Sequence, residues 1–240
     1  MSDWSEYQDR YLRGEWRDRL FHEMILKDAD ERGTGLTFLD IGCGRGFDTD
    51  VPLQESLIRH AGRYIGIEPD KAIEPNASMT EYHQCFLEDA PIPPGSVDMA
   101  FAVMVLEHVP EPKPFWDKLH EVLREGGVFW GFTVDARHPI ALATRLMGRL
   151  KLKEAYLDRL HGKRGVERYE DYPVHYRTNT PEAVRGFGSS FRKVDLVPFA
   201  RPGVWGGLLP RPLRPLAERY DRWAMAHDKA TTLLAIRAEK

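Results

Sequence analysis

Cysteine is nearly absent. The two in 240 residues, Cys43 and Cys85, are too few to staple a small fold, and neither belongs to a Cys-x-x-Cys pair that would hold zinc or run thiol exchange. A reducing, cytoplasmic setting is therefore expected, and no bound metal. Long apolar runs are also missing: the longest, Met99 to Leu106, is far shorter than a bilayer span. The stretch from Met1 to Arg19 is dense in charge where an export signal needs an apolar core, so neither export nor a membrane span is expected. Net charge is close to zero, with 34 Lys and Arg against 37 Asp and Glu, which excludes a general polyanion binder and leaves no nucleic-acid partner expected. What is present is ordinary for a compact globular chain: 42% hydrophobic and 30% charged residues, with 20 Gly and 17 Pro and no internal repeat.

Short apolar segments bounded by Gly, Pro or Asp read as buried strands at Leu36 to Ile41, Tyr64 to Glu68, Val97 to Val105 and Val128 to Thr133. Helical spacing marks the links Val51 to His60 and Pro114 to Arg124, where Phe115, Leu119, Val122 and Leu123 share a face and Gly126-Gly127 ends the helix. The alternation of strand and helix predicts a doubly wound α/β fold with helices on both faces of an open sheet. After Asp135 the pattern changes. Residues 137–168 hold nine Lys and Arg against three acids, so this segment carries +6 and the rest of the chain −9. Within it Leu142, Leu146, Leu150 and Leu157 form a helical stripe, read as an insertion over the sheet edge. Strands resume at Phe191 to Phe199 and Thr231 to Ala238, separated by a Pro- and Arg-rich link, Arg201 to Pro215, and an amphipathic helix at Leu213 to Ala226.

The strongest chemical signal is Leu39-Asp40-Ile41-Gly42-Cys43-Gly44-Arg45-Gly46, a buried strand running into three alternate glycines. Glycines there allow a sharp turn and let a ligand lie against bare main chain. A dinucleotide loop places its third glycine one residue later to admit a pyrophosphate, and a P-loop needs Gly-Lys-Ser/Thr. The loop at 42, 44 and 46 suits a ligand that carries an amino acid or a nucleoside and no diphosphate, with the Asp40 carboxylate ready for an ammonium group. The second signal is Ile65-Gly66-Ile67-Glu68, a strand that ends in a carboxylate 22 residues after Gly46. Two carboxylate oxygens can accept hydrogen bonds from both hydroxyls of a ribose.

With LDIGCGRG (39–46), YIGIEPD (64–70), APIPPGSVD (90–98), VLEHVPEP (105–112) and LHEVLREGG (119–127), the sequence resembles the class I methyltransferases that use S-adenosylmethionine. Within them it is similar to the broad small-molecule group with a Leu-Glu-His-Val segment after the fourth strand. The resemblance covers roughly residues 36 to 135. It implies S-adenosylmethionine as cofactor, its methionine part held by the Asp40, Gly42, Cys43 and Gly44 loop, its ribose by Glu68, and Pro69 near the adenine. It also implies that Cys85 to Asp89 flanks the adenine. Many relatives carry an aspartate where Phe86 stands; Glu88 or Asp89 is either its substitute or part of a solvated loop end, with Leu87 offering an apolar face and a backbone N–H. Tyr11, in a leading helix over Trp4 to Trp16, is a cofactor-side candidate, with core packing as the plainer reading.

Methyl transfer needs mainly an acceptor atom held in line, desolvated and free of its proton. His titrates in the right range to take that proton. His108 is the best placed candidate base, although in the resembling families this residue often orients the loop. His138 and His175 are further candidates, and Asp135 either faces the acceptor or caps a helix. In YPVHYRTNT (172–180), Tyr176 and Arg177 are candidate acceptor contacts, ahead of a helix start at Thr180-Pro181. The basic insertion has three readings: a solvated helix face, an acceptor pocket for an anionic substrate, or peripheral contact with an anionic membrane aided by Trp205, Leu208 and Leu209.

The expected molecule is thus one domain spanning 1–240: an N-terminal helical cap (1–30), a cofactor-binding core (31–136), a lid insertion with a following helix (137–190) and C-terminal strands with a helical insertion (191–240). The resemblance implies a seven-stranded, mostly parallel sheet whose last strand is inserted antiparallel. The expected activity is methyl transfer to a small-molecule acceptor, oxygen first and then nitrogen or carbon. The alternatives are a non-catalytic S-adenosylmethionine-binding partner subunit, or an NAD-dependent dehydrogenase disfavoured by the glycine spacing.

Overall fold

The computed structural model describes residues 4–139, 141–142, 172–201, 211–227 and 229–240. The chain begins with α1 (Ser5–Leu12) and α2 (Arg17–Arg32), then β1 (Thr37–Ile41), α3 (Val51–His60), β2 (Arg63–Ile67), β3 (Glu81–His83) and β4 (Val97–Val103). It continues through α4 (Pro112–Val122), β5 (Leu123–Val134), α5 (Pro181–Phe187), β6 (Lys193–Phe199), α6 (Arg214–Ala226) and β7 (Leu233–Glu239). Leu146, Leu150 and Leu157, the basic residues from Arg145 to Arg168, and Trp205, Leu208 and Leu209 lie outside the described residues.

One seven-stranded sheet runs in the order β3-β2-β1-β4-β5-β7-β6. Every pairing from β3 to β5 is parallel, whereas β7 is antiparallel to both β5 and β6. The antiparallel strand is therefore internal. Side chains alternate between two apolar layers as a pleat requires. Leu39, Ile41 and Phe129 pack with Phe115, Trp116 and Leu119 of α4 and Val184 of α5. Phe38, Trp130 and Phe132 pack on the opposite face with Leu20, Phe21 and Met24 of α2 and Leu57 of α3. Phe21 stacks on Phe132 with ring centres 3.9 Å apart. This double covering explains why β1, β4 and β5 read as continuous apolar runs.

Two features depart from the expected alternation. Between β2 and β4 there is no α-helix, only the three-residue β3 and a 3₁₀ turn at Leu87–Asp89. Pro69, Pro75, Pro91, Pro93 and Pro94 explain this, since each removes a backbone donor and resists an α conformation in the residue before it. In addition, Gly126-Gly127 does not end α4. The helix stops at Val122, and Leu123 already pairs with Val97 in β5. The glycines form a bulge, with Gly126 at φ +72° and Met99 pairing next with Val128. A Cβ on Gly127 would lie 2.8 Å from the Arg124 carbonyl oxygen.

At the base of the sheet, Asp28 of α2 is buried and accepts from Arg237 Nε (2.8 Å) and Nη2 (3.1 Å) of β7, Trp130 Nε1 (2.8 Å) of β5, and Arg32 Nε (3.2 Å). This pins the N-terminal helices to the two strands where the sheet changes direction.

A candidate cofactor and acceptor cavity

β1 delivers the chain to the C-terminal edge of the sheet, where the glycine loop crosses onto β2: Gly42 N and Cys43 N both donate to the Ile67 carbonyl, at 2.8 and 3.0 Å. Gly42 has φ +71°, and a Cβ there would stand 2.4 Å from Val105 Cγ2. Gly46, at φ +127°, would meet the Asp50 backbone at 2.7 Å. Both positions thus exclude a side chain by conformation and by space. The loop ends at Asp50, whose Oδ1 accepts from Leu53 N (2.9 Å) and caps α3.

A cavity of about 760 Å³ opens above this loop. Asp40, Gly42, Gly44, Glu68 and Pro69 line one part of it, and His108 and His175 line it as well. Asp40 is buried, and Tyr64 Oη (2.6 Å) and Gln54 Nε2 (3.2 Å) donate to it. Both donors are neutral, so burial dominates and pushes the carboxyl up to about 6. Glu68 accepts from Gly44 N (3.1 Å) and Asp70 N (3.0 Å). Burial raises its pKa as well, against those two bonds.

The rim is strained. Of the four non-glycine residues at positive φ among the described residues, Asp48 (47°), Thr49 (74°) and Met104 (56°) line the cavity. Such conformations persist only where the surroundings hold them, and they concentrate at functional sites. At Asp48 the hold is a fork from Arg17 at the start of α2, with Nε at 2.7 Å and Nη2 at 2.9 Å. At Met104 it is a backbone bond to Phe132 O, 2.7 Å.

The other wall is a strap, residues 172–179, stitched to the turn after β4. Tyr172 Oη donates to Asp70, across the cavity from the turn. His108 Nδ1 lies 2.9 Å from Pro173 O. His175 N and Tyr176 N both donate to Glu107 O, at 2.7 and 3.2 Å. The buried Glu107 carboxyl accepts from Thr133 Oγ1 (2.7 Å), which in turn accepts from Asn179 Nδ2 (2.5 Å). Burial pushes the Glu107 pKa up, opposed by the Thr133 bond.

Other sequence-selected residues lie away from the cavity lining. Cys43 faces the core, and burial raises its thiol pKa. Leu87 enters the core, and Glu88 lies beside it outside the lining. Tyr11 is buried edge-on against Phe199. Asp135 accepts from Arg137 N (2.9 Å), Nε (3.0 Å) and Nη2 (2.8 Å), and from Thr231 N (3.3 Å), forming a buried junction behind the site. His138 lies in the same layer, its Nε2 3.5 Å from Asp221 Oδ1 of α6. Arg177 reaches Pro110 O (2.6 Å) on the outer side of the turn. Sequence reasoning missed Gln54, Tyr64, Asp48, Met104 and Tyr172, and reached Phe86 only through the resemblance. Only Tyr172 had a signal, its place in the YPVHYRTNT stretch. The rest depend on chain crossings that spacing does not encode.

Residues 39–131 match the family described as a methyltransferase domain. A probable S-adenosylmethionine-dependent methyltransferase of Mycolicibacterium smegmatis is 30% identical over 112 residues, covering 45% of this chain and 42% of that protein. A ubiquinone biosynthesis O-methyltransferase of Sodalis glossinidius is 31% identical over 132 residues, covering 49% of this chain and 50% of that protein. The chain thus spans half or less of the length of these curated relatives. Among solved structures, a SAM-dependent methyltransferase from Archaeoglobus fulgidus superposes with a TM-score of 0.57 at 14% identity, covering 99% of this chain and 100% of that one, a likeness of fold. Fold and family profile together define a Rossmann-like methyltransferase domain. Over residues 39–131 the chain is similar to the S-adenosylmethionine-dependent methyltransferases.

Proposed function

We propose that this protein transfers a methyl group to an oxygen atom of a small-molecule acceptor. The observation that carries the reading is one cavity joining Asp40, the glycine loop and Glu68 to His108 and His175. The site fits the family's cofactor: Asp40 is a buried carboxylate with two neutral donors, and an ammonium group would complete its shell. Glu68 accepts from the ribose hydroxyls, and Gly44 leaves its side of the loop open to the ligand. S-adenosylmethionine, when bound, supplies an electrophilic methyl group on a sulfonium.

His108 supports oxygen as the acceptor atom. The Pro173 carbonyl can only accept a hydrogen bond, so Nδ1 carries a proton, and the neutral form of the ring has Nε2 as its acceptor. That is the tautomer a base needs to take a proton from a hydroxyl. The strap fixes the ring, and His175 on the same strap also lines the cavity. The relative named for ubiquinone O-methylation points the same way. For an acceptor with an anionic group, Arg45 and Lys71 are cationic residues on the cavity lining. The free thiols Cys43 and Cys85 suit a reducing, cytoplasmic setting. Among the described residues no helix is long and apolar enough to cross a membrane.

The test is calorimetric titration with S-adenosylhomocysteine and NAD, followed by methyl transfer to a panel of phenols, alcohols, amines and carboxylates. The expected result is binding of the sulfur nucleoside, none of NAD, and turnover on a hydroxyl compound. His108→Gln should then lower kcat by about 10²-fold or more while cofactor affinity stays within about threefold. Binding with no turnover on any panel would favour a non-catalytic partner subunit. An unchanged kcat would remove His108 as the base.

A further inference from the structure

Phe86 is 56% exposed, although the chain buries most of its phenylalanines, and its side chain lines the cavity with Pro69 and Ile73. It precedes the 3₁₀ turn Leu87–Asp89, closed by Asp89 N to Phe86 O (3.2 Å) and Ala90 N to Leu87 O (3.1 Å). The turn sends Leu87 into the core and carries Glu88 and Asp89 away from the lining, so Phe86 alone of residues 84–89 faces the cavity. The segment after Pro69 adds Asp70 and Lys71 to the same lining. An ammonium has no lone pair to offer an amino group. Asp70 accepts from Ala72 N (2.8 Å) on one oxygen and from Tyr172 Oη on the other, so its carboxylate is tied to its own turn and to the strap. Of the other carboxylates on the lining, Glu68 and Asp40 face the sugar and amino-acid ends in the reading above, and Asp48 is held in the Arg17 fork.

From this we infer that the purine of the cofactor packs on the face of Phe86 and that no described side chain reads its 6-amino group. The inference rests on the proposed function, because the nucleoside is placed by Glu68. A π-face holds any purine alike, so stacking supplies affinity without discrimination at the 6-position. The protein should therefore accept cofactor analogues altered there.

Calorimetry on the unmodified protein tests this with S-adenosylhomocysteine and its 6-deamino analogue, in which hydrogen replaces the amino group and ring nitrogen N1 is unchanged. Affinities within about threefold of each other are expected; a loss of about tenfold or more, the effect of one hydrogen bond left unmade, overturns the inference. Phe86→Ala, at an exposed position that leaves the core intact, should weaken both ligands by about tenfold. Undiminished binding of both ligands by that variant, with an unchanged thermal melt, would also overturn it. If S-adenosylhomocysteine itself fails to bind, the functional reading falls and takes this inference with it.

Discussion

Asp40 illustrates how a single residue trades stability for binding. Its folded pKa lies above the unfolded value because burial disfavours the charge, so the folded state holds more protons between about pH 4 and 6. Stability therefore falls as pH rises through that window and is flat above it. The shift corresponds to roughly 3 kcal/mol. Asp40→Asn keeps an oxygen for Tyr64 and Gln54, and urea melts should show it more stable than the parent at pH 7 by up to about 2 kcal/mol, with the slope between pH 4 and 6 flattened. The same variant should bind S-adenosylhomocysteine more weakly, and parental affinity should rise with pH up to about 6. A parental melt independent of pH would sink both statements. The sequence disclosed Asp40 and Glu68 because strand ends beside a glycine loop are local signals. It did not disclose Tyr64 or Gln54, whose relation to Asp40 arises only when β2 and α3 fold against β1.

At the scale of elements, α2 serves both ends of the sheet. Arg17, at its start, holds the strained Asp48 at the cavity rim, and Asp28, near its end, holds Arg237 and Trp130 at the base. Burial alone would raise the Asp28 pKa, but the Arg237 hydrogen bonds outweigh it and the net shift is downward. This stability is present above the unfolded pKa and is lost as pH falls through the folded one. Asp28→Ala leaves the Arg237 guanidinium with Glu239 (3.3 Å) as its remaining carboxylate and takes the acceptor from Trp130 Nε1, and a thermal or urea melt should register a loss of about 3 kcal/mol. A loss below about 1 kcal/mol would show that the pair is relaxed by water. Most elements were legible: the spacing of Val51 to His60 matches α3, and Thr180-Pro181 opens α5 with the Thr180 side chain accepting from Ala183 N. β3 was not, since three half-buried residues have no period. The extent of α4 was misread because a glycine pair marks a strand bulge as readily as a helix end, and only the partner strand decides between them.

For the whole molecule, the decisive feature is that β7 lies between β5 and β6. Ala235 pairs with Phe132 on one side and Val197 on the other. Ala235→Pro would remove a ladder hydrogen bond and wedge two neighbours apart, and it should destabilise by about 3 kcal/mol or more, seen as a shift to lower urea midpoint or as insoluble expression. Near-parental stability would contradict the interior placement. That this strand is antiparallel was legible only through the resemblance, because alternation reveals neither strand order nor direction. The placement also governs the life of the chain on the ribosome. β6 emerges before β7, so residues 193–199 have no partner in the sheet, and the apolar flank of β5 stays open, until residues 233–239 leave the exit tunnel. During that interval the nascent protein presents two unsatisfied ladder edges, a template for chaperone capture or for pairing with a neighbouring nascent copy.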